Sequence, residues 1–369
     1  MNRLILIGNG FDLAHGFKTS YQDFVLDYFQ KALREFYLSD KYQDELFELD
    51  YEDDFRSPSI KNRNVPSTME EVKNVISEFA SSDGMCKVNA IFHSAFFKAI
   101  YDSCSDLGWV DIENLYFEHL VSNKGKSSSL KQLNDDFEII TKKLESYLVS
   151  LKIENQNFNQ SNFSLVFLNP IHRDEVVTEN LKENLKYDEV PNNICILNFN
   201  YTPTMRKYMA DLRMKLDFEK KGSTLQEIHI HGELGNEKNP IVFGFGDELD
   251  KEFLNFEDIK DDSLFTHIKS FMYSQTSNYH DLIRFIDADN FQVYIIGHSC
   301  GLSDRTMLNH IFEHEKCKSI KIFYHQRSDG TDDFTEKTYN IYRHFKDKGT
   351  MRLKLVPKDK SDPLPKPKR

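Results

Sequence analysis

The chain has 369 residues, of which 39% are hydrophobic and 29% charged, and its formal net charge is −12. No apolar run approaches the roughly 18 residues that a membrane-spanning helix needs, and the negative charge opposes a nucleic-acid binder that relies on a basic face. The five cysteines are scattered and contain no CxxC pair, which is typical of free thiols in a reducing compartment. The composition therefore predicts a cytoplasmic protein that binds neither membranes nor, across a broad surface, nucleic acid.

Apolar runs alternate with helical patterns along most of the chain. Leu4–Ile7 is a continuous apolar run, as expected of a strand that is buried on both faces. Six more runs predict strands: Leu165–Leu168, Ile194–Leu197, Ile228–Ile230, Ile241–Phe243, Val293–Ile296 and Ile320–Tyr324. A helix is predicted after Thr19, which is placed to form a capping box with Gln22. Two more helices are predicted over Ser129–Lys152 and after Asp304. This alternation predicts an α/β fold with a mostly parallel, Rossmann-like sheet and helices on both faces.

The chain divides into three predicted parts. Residues 1–37 and 161–356 hold the predicted strands and form the α/β core. Residues 38–160 contain acidic stretches and helical segments without a convincing strand, which predicts a helical insertion. Residues 357–369 carry four prolines and five basic residues, a composition that predicts a disordered basic tail.

The first predicted strand ends in a turn that reads Gly8-Asn9-Gly10-Phe11-Asp12. Glycines at this place allow a tight turn and the close approach of a ligand's phosphates or ribose. The dinucleotide fingerprint G-x-G-x-x-G is incomplete, because Leu13 stands where its third glycine would be. An ordinary strand-to-helix turn capped by Asp12 explains this segment equally well.

Two later strand ends carry polar side chains. Asn200 follows Ile194–Leu197, at the edge of a parallel sheet where an amide can orient a water or a ribose hydroxyl; the alternative is a turn residue that tolerates positive φ. His229 and His231 are two residues apart on a predicted strand and would therefore lie on the same face. Together they could bind a metal, or His231 could act as a general base. Gly232 favours the base hypothesis for His231, since it puts that residue at the strand end.

The segment after Val293–Ile296 matches the nucleophile pattern G-x-S-x-G with Gly297, Ser299 and Gly301. In a serine hydrolase a helix opens directly after the serine, whereas here the helix is expected only from Asp304, so this hypothesis is disfavoured. Phe243–Asp247 is a second glycine-rich strand end that could admit a ligand or be a simple loop. Three residues further on have the spacing of metal ligands on a helix, although a solvated helix face is the favoured interpretation: His310, His314 and Cys317.

Together and in this order, these segments resemble the AbiH family of bacterial abortive-infection proteins. The likeness is carried by residues 4–24, 109–113, 197–202, 229–232, 242–247 and 294–304. The role of Trp109–Glu113 is undecided. The family is in turn distantly similar to sirtuin-like NAD-binding proteins, and that relation implies a sirtuin-like core.

The sirtuin-like relation implies where NAD would lie. By motif, the residues around it would be Gly8, Asn9, Gly10, Phe11, Asp12, Thr202, Gly297, Ser299 and Asp304. Asn200 and His231 would be the catalytic pair, with Asp12 as a third catalytic residue. The chain lacks the four-cysteine zinc ribbon of sirtuin deacetylases, so the resemblance does not extend to protein deacetylation, and no metal is expected.

The leading hypothesis is an anti-phage effector that hydrolyses NAD⁺ at the nicotinamide–ribose bond. His231 would remove a proton from water or a ribose hydroxyl, Asn200 would fix that group, and Asp12 would stabilise the positive charge that develops on the sugar.

Two alternatives stay open. One is a nucleotide-binding sensor or interaction module without turnover. The other is a metal-dependent nuclease that uses His229, His231, Asp247 and Asp304. A nucleotide is the expected ligand, and a second copy of the chain or another defence protein is left open as a partner.

Overall fold

The computed structural model describes residues 1–52, 58–61, 63–81, 87–104, 111–156, 161–177 and 189–366. The strands of these residues are β1 (Asn2–Ile7), β2 (Lys41–Gln43), β3 (Phe47–Tyr51), β4 (Val88–Phe92), β5 (Asn193–Asn198), β6 (Thr224–His229), β7 (Phe291–Ile296) and β8 (Cys317–Phe323). The helices are α1 (Asn9–Ala14), α2 (Tyr21–Ser39), α3 (Pro58–Lys61), α4 (Met69–Ser81), α5 (Ala95–Ser103), α6 (Ile112–Ser122), α7 (Ser127–Ser150), α8 (Ser161–Phe167), α9 (Arg206–Glu219), α10 (Lys251–Phe256), α11 (Lys269–Tyr273), α12 (Asn278–Ala288), α13 (Arg305–Glu313), α14 (Phe334–His344) and α15 (Lys348–Lys354). No helix of this part of the chain is long and apolar enough to cross a membrane.

Five strands form one parallel sheet in the order β6-β5-β1-β7-β8. This confirms the predicted α/β fold and the prediction that Leu4–Ile7, Ile194–Leu197, Val293–Ile296 and Ile320–Tyr324 lie in one sheet. The chain runs outward from β1 through β5 to β6, then returns to the other side of β1. The switch in direction therefore falls between β1 and β7, where open α/β sheets form a crevice outside the carboxyl ends of the strands.

Apolar side chains cover both faces of this sheet. On one face, Leu4 and Leu6 of β1 join a core with residues of α12 and α13. On the other face, Ile5 and Ile7 join a core with residues of α8 and α9. Burial on both faces is the reason that the strands read as continuous apolar runs.

The chain forms two compact units. The first unit comprises Met1–Phe17, Leu151–Asp258 and His267–Arg369 and contains the parallel sheet. The second comprises Lys18–Ser150 and Ile259–Thr266 and contains an antiparallel sheet in the order β2-β3-β4.

The antiparallel sheet corrects the prediction that residues 38–160 are purely helical. In β3, Phe47, Leu49 and Tyr51 are buried, while the acidic residues between them lie on the opposite face of the strand. Glu48 and Asp50 both bind Lys41, at 3.3 Å and 3.0 Å. The acidic residues therefore interrupt the apolar run and disguise a half-buried strand.

Two predicted strands of the first unit are not strands. The run Leu165–Leu168 falls in and just after α8, where Phe163 and Phe167 are buried one turn apart. Ile241–Phe243 lies in an irregular segment, whose Val242 N–H donates to the carbonyl of His231 at 2.8 Å.

Two further predictions change in detail. The capping box of α2 is made by Ser20 and Asp23 and not by Thr19 and Gln22. The predicted disordered tail is ordered up to residue 366: Leu364 is buried and its N–H donates to the carbonyl of Tyr324 at 2.7 Å. Residues 367–369 lie outside the described part of the chain.

Candidate functional site

The turns that follow β1 and β7 interlock at the switch point of the parallel sheet. The Gly10 N–H donates to the carbonyl of Gly297 at 2.8 Å, and the Gly8 N–H donates to that of Ile296 at 3.2 Å. A Cβ atom at Gly8 would lie 2.5 Å from the Cα of His298, and one at Gly10 would lie 2.8 Å from the Cα of Gly297. The neighbouring turn therefore fills the space beside these glycines, where a ligand's phosphates were predicted to lie.

Two other residues of the predicted NAD turn have structural positions. Phe11 is fully buried in the apolar core, with its ring centroid 4.9 Å from that of Phe163 and 5.6 Å from that of Tyr208. Asn9 is the first residue of α1 and is partly exposed. The side chain of Phe11 thus stabilises the fold, which corrects its assignment to the ligand pocket.

Asp12 is fully buried just behind this turn. The hydroxyl of Thr202 donates to its Oδ2 at 2.5 Å, while Oδ1 has no hydrogen-bond partner among the described residues. Burial raises the pKa of the Asp12 carboxyl to about 6, although Thr202, Thr204 and the amide of Asn200 lie near enough to favour the ionised form. Asp12 is therefore a buried carboxylate that the fold leaves partly uncompensated.

Asn200 ties the turn after β5 to the turn after β1. Its Nδ2 donates to the carbonyl of Gly8 at 3.2 Å, and its backbone N–H donates to Oδ1 of Asn198 at 3.0 Å. Asn200 and Thr202 are both buried. The structure thus brings together Gly8, Asp12, Asn200 and Thr202, as the sequence predicted.

His231 lies beside a second buried carboxylate, Asp304. Its Nε2 is 3.0 Å from Oδ1 of Asp304 and 3.0 Å from the hydroxyl of Tyr273. The ammonium of Lys269, which is fully buried, lies 2.8 Å from the same Oδ1. Burial alone would raise the pKa of Asp304, but the charges of Lys269 and His231 outweigh it and hold that pKa well below the ordinary value.

Two histidines present Nε2 to this carboxylate. Cys300 donates its backbone N–H to Nδ1 of His298 at 3.0 Å, so the proton of neutral His298 is on Nε2, 3.6 Å from Oδ2 of Asp304. The ionised Asp304 likewise places a proton on Nε2 of His231, which leaves the lone pair of the neutral imidazole on Nδ1. Asp304 thus sets the tautomer that a general base requires.

Phe199 connects the two groups of residues. It immediately precedes Asn200, and its ring centroid lies 5.0 Å from that of His231 and 4.1 Å from that of His298. The predicted catalytic residues Asn200 and His231 thus follow the carboxyl ends of β5 and β6, and the chain neighbour of Asn200 contacts His231.

The structure corrects the prediction that His229 and His231 share one strand face. β6 ends at His229, and His231 lies in the turn that follows, before Gly232 at φ +82°. Nε2 of His229 instead lies 3.0 Å from Glu227 and 3.5 Å from Glu233. Burial lowers the pKa of His229, but Glu227 outweighs this effect, so the pKa is raised above the ordinary value.

Ser299 does not have the geometry of a hydrolase nucleophile. Its side chain is exposed, and the strained residue of the turn is Cys300, which is buried at φ +53°. The helix that follows, α13, begins only at Arg305. Ser299 therefore also lies outside the buried group that contains Asp12 and Asn200.

Of the four residues of the nuclease alternative, His231 and Asp304 pair with each other, while the other two bind elsewhere. His229 pairs with Glu227, whereas Asp247 lies 3.1 Å from Arg305. Across the described residues, no three His, Cys, Asp or Glu side chains are grouped so that they could hold a metal ion. Of the three residues at helical spacing, His310 contacts Tyr279, His314 contacts Asp287, and Cys317 belongs to β8.

Other residues of this neighbourhood were not singled out from the sequence. Lys269 and Tyr273 lie on α11, a segment without any recognisable motif. His298 lies within the matched pattern G-x-S-x-G, but its role becomes visible only beside Asp304. In the 109–113 segment, Asp111 caps α6 by accepting the N–H of Asn114 at 3.1 Å; Trp109 and Val110 lie outside the described residues.

The fold and this neighbourhood define an α/β protein with a doubly wound parallel sheet and two buried carboxylates near its switch point. The chain belongs to the family described as bacteriophage abortive infection AbiH, whose model matches residues 4–326. No curated protein matches the chain. Membership of this family confirms the AbiH resemblance and indicates a function in abortive infection, a bacterial defence against bacteriophage.

Proposed function

We propose that this chain is an abortive-infection effector that hydrolyses NAD⁺ at the nicotinamide–ribose bond. One observation carries the proposal: Asp12 is fully buried at the carboxyl edge of the sheet, and its Oδ1 has no hydrogen-bond partner among the described residues. Such a group costs stability, because a buried charge without compensation loses its hydration. Perturbed carboxylates of this kind cluster at functional sites.

Asp12 would act on the sugar. Cleavage of the nicotinamide–ribose bond develops positive charge on the ribose, and an oriented carboxylate in a dry site stabilises such charge more than water does. Thr202 fixes one oxygen of Asp12 at 2.5 Å, so the second oxygen has a defined direction. That oxygen would accept a hydrogen bond from a ribose hydroxyl or face the developing cation.

His231 and Asn200 would act on the water. Nδ1 of His231 takes a proton from water as the water oxygen bonds to the anomeric carbon of the ribose, and the breaking bond leaves its electron pair on nicotinamide. The products are nicotinamide and ADP-ribose, and the imidazolium then returns its proton to solvent. Asn200 would orient the water, while Asp304 holds the imidazole and stabilises its cationic form.

The buried positions of these side chains correspond to a resting state of the enzyme. Asp304 is occupied by Lys269 and His231, and Asp12, Asn200 and His231 are all buried. Entry of a dinucleotide therefore requires that the turns around these residues open. An effector whose reaction damages its own cell needs such a restraint before infection.

The test measures NAD⁺ and ADP-ribose by mass spectrometry in bacteria that express the chain, before and after infection. We expect NAD⁺ to fall and ADP-ribose to rise after infection with the wild-type chain and to stay constant with Asp12→Asn, which keeps the shape of the side chain. If cells are protected while NAD⁺ remains constant, the chain acts as a binding or sensing module. If plasmid DNA is cut instead, the nuclease alternative applies.

A further inference from the structure

The second compact unit has a cleft of about 670 Å³ beside the outer edge of its antiparallel sheet. α4 and α5 contribute side chains to its lining, and β4 lines it along its whole length. None of the residues in this cleft belongs to the proposed NAD⁺ mechanism, so a partner bound here would leave the residues of that mechanism in place.

The backbone of β4 points hydrogen-bonding groups into this space. The Glu52 N–H donates to the carbonyl of Lys87 and the His93 N–H to that of Leu46, both at 2.9 Å. With the observed antiparallel register, these bonds fix which residues face β3 and which face outward. The N–H and C=O groups of Val88, Ala90 and Phe92 point away from β3, and no other described strand pairs with that edge. As far as the described residues go, this edge has no strand partner and can accept one.

The side chains that line the cleft suit an extended peptide. Ile76, Phe92 and Tyr101 provide apolar surface, and Ala90 in the middle of β4 is small enough to leave room beside it. When a peptide adds to a sheet edge, main-chain hydrogen bonds supply affinity, and pockets for alternate side chains supply specificity. The cleft meets both requirements.

The charge of the cleft selects the kind of peptide. Nζ of Lys73 and of Lys98 lie 5.2 Å and 5.4 Å from the centroid of the Tyr101 ring. Lys87 is a third lysine of the lining, at 3.7 Å from Glu52. Lys98 also pairs with Asp102 at 2.5 Å, so the three lysines of the cleft exceed its two carboxylates by one positive charge, in a chain whose net charge is −12. This local excess favours an acidic partner segment.

We propose that the outer edge of β4 binds an extended, acidic peptide segment of a partner protein by strand addition. The segment would pair with the outward groups of Val88, Ala90 and Phe92, and its acidic side chains would contact Lys73 and Lys98. Such a contact gives the effector a place where a second protein docks.

The test screens the 369-residue chain against a displayed library of random peptides about twelve residues long. A fluorescent synthetic copy of the most enriched peptide is then titrated by anisotropy against wild type and variants. Ala90→Pro removes an outward N–H and leaves the bonds of Asn89 and Ile91 to β3 in place. The double variant Lys73→Glu/Lys98→Glu tests the charges without touching the backbone. Its matched control is Lys131→Glu/Lys142→Glu, which makes the same charge change on exposed positions of α7.

We expect enrichment of peptides with acidic residues at alternate positions. Ala90→Pro and the Lys73/Lys98 double variant should each weaken binding by about tenfold or more, while the α7 control changes it by less than about twofold. Circular dichroism establishes that each variant is folded. The proposal is overturned if no peptide is enriched, if the peptides are not acidic, or if Lys73→Glu/Lys98→Glu and its control bind alike. A concentration-dependent dimer that Ala90→Pro abolishes would assign the edge to a second copy of this chain and would also overturn it.

Discussion

Two carboxylates buried in the parallel-sheet unit have opposite electrostatic surroundings. Asp304 lies 2.8 Å from the ammonium of Lys269 and 3.0 Å from Nε2 of His231, and its pKa is held well below the ordinary value. Among the described residues, the hydroxyl of Thr202 donates to one oxygen of Asp12 and the other oxygen has no partner, and burial raises the pKa of Asp12 to about 6 although Thr204 and Asn200 lie nearby. Carboxylates whose surroundings drive their pKa values apart are suited to different tasks.

The surroundings of each carboxylate determine its task. The charges of Lys269 and His231 hold the pKa of Asp304 well below its ordinary value, so Asp304 can position His231 as a carboxylate. Asp12 is only partly compensated and is half ionised at a pH of about 6. A ligand that donates a hydrogen bond to Asp12 or carries a positive charge would therefore supply the compensation that the protein does not.

The largest expected effect concerns activity. His231→Ala and Asn200→Ala should abolish phage protection and any loss of NAD⁺, because each removes a positioned acid–base or orienting group, which is worth about 10²–10⁴ in rate. Plaque counts and NAD⁺ levels in infected cells measure both effects. His310→Ala, which changes a histidine that contacts Tyr279, should leave both unchanged. Full protection by both site variants would contradict a catalytic role.

Lys269→Met breaks the compensation of Asp304. It leaves a buried carboxylate without its nearest cation, which typically costs about 3–5 kcal/mol of unfolding free energy. Chemical denaturation, followed by far-ultraviolet circular dichroism, measures the loss of unfolding free energy. Lys215→Met removes a half-exposed partner of Asp211 and should cost less than about 1 kcal/mol. Adding Asp304→Asn to Lys269→Met should restore part of the stability, and equal losses for the two lysine variants would contradict the contrast.

Asp12→Asn removes the uncompensated carboxylate. The pKa of Asp12 is about 6 in the folded state, above the ordinary 3.8, so the unfolded chain loses its proton first as the pH rises. Wild-type stability should therefore fall between pH ~4 and ~6, by up to about 3 kcal/mol, and the variant should lack this fall. Denaturation of both proteins at pH 4 and pH 7.5 measures it. A difference in stability that does not depend on pH would show that Asp12 is compensated after all.

Strand ends were the part of this architecture that the sequence predicted best. Leu4–Ile7 and Val293–Ile296 are continuous apolar runs because both of their faces are buried, and the residues that follow them must then lie at one sheet edge. Asp12, Asn200 and Thr202 follow two such strands, so the sequence alone predicts that they lie near one another.

The remainder depends on contacts that no local pattern encodes. Lys269 reaches Asp304 from the first residue of α11, and no spacing in the sequence relates the two residues. Leu165–Leu168 looks like a strand, but burial of Phe163 and Phe167 one helical turn apart favours a helix. His231 was predicted to share a strand face with His229, and the early end of β6 turns it toward Asp304 instead.

The smallest expected effect concerns His229, whose imidazole is held by Glu227 and not by Asp304. Its raised pKa means that the stability it adds is complete below its ordinary pKa of about 6.5 and is lost as the pH rises through the folded value. The lowered pKa of Glu227 means that its own contribution is present above about 4.5 and is lost as the pH falls through the folded value. Glu227→Gln should therefore lower the pKa of His229 and cost about 1–2 kcal/mol near pH 6.

This last variant separates the neighbouring histidines. Nuclear magnetic resonance of the imidazole signals as a function of pH measures the pKa of His229, and His231 in the same sample is an internal control because its nearest carboxylate is Asp304. NAD⁺ loss in infected cells should change little, since Glu227 binds His229 and Asn198 and has no role in the proposed mechanism. If Glu227→Gln silences the effector as completely as His231→Ala does, the Glu227–His229 pair belongs to the catalytic machinery, and the division of labour between Asp12 and Asp304 is incomplete.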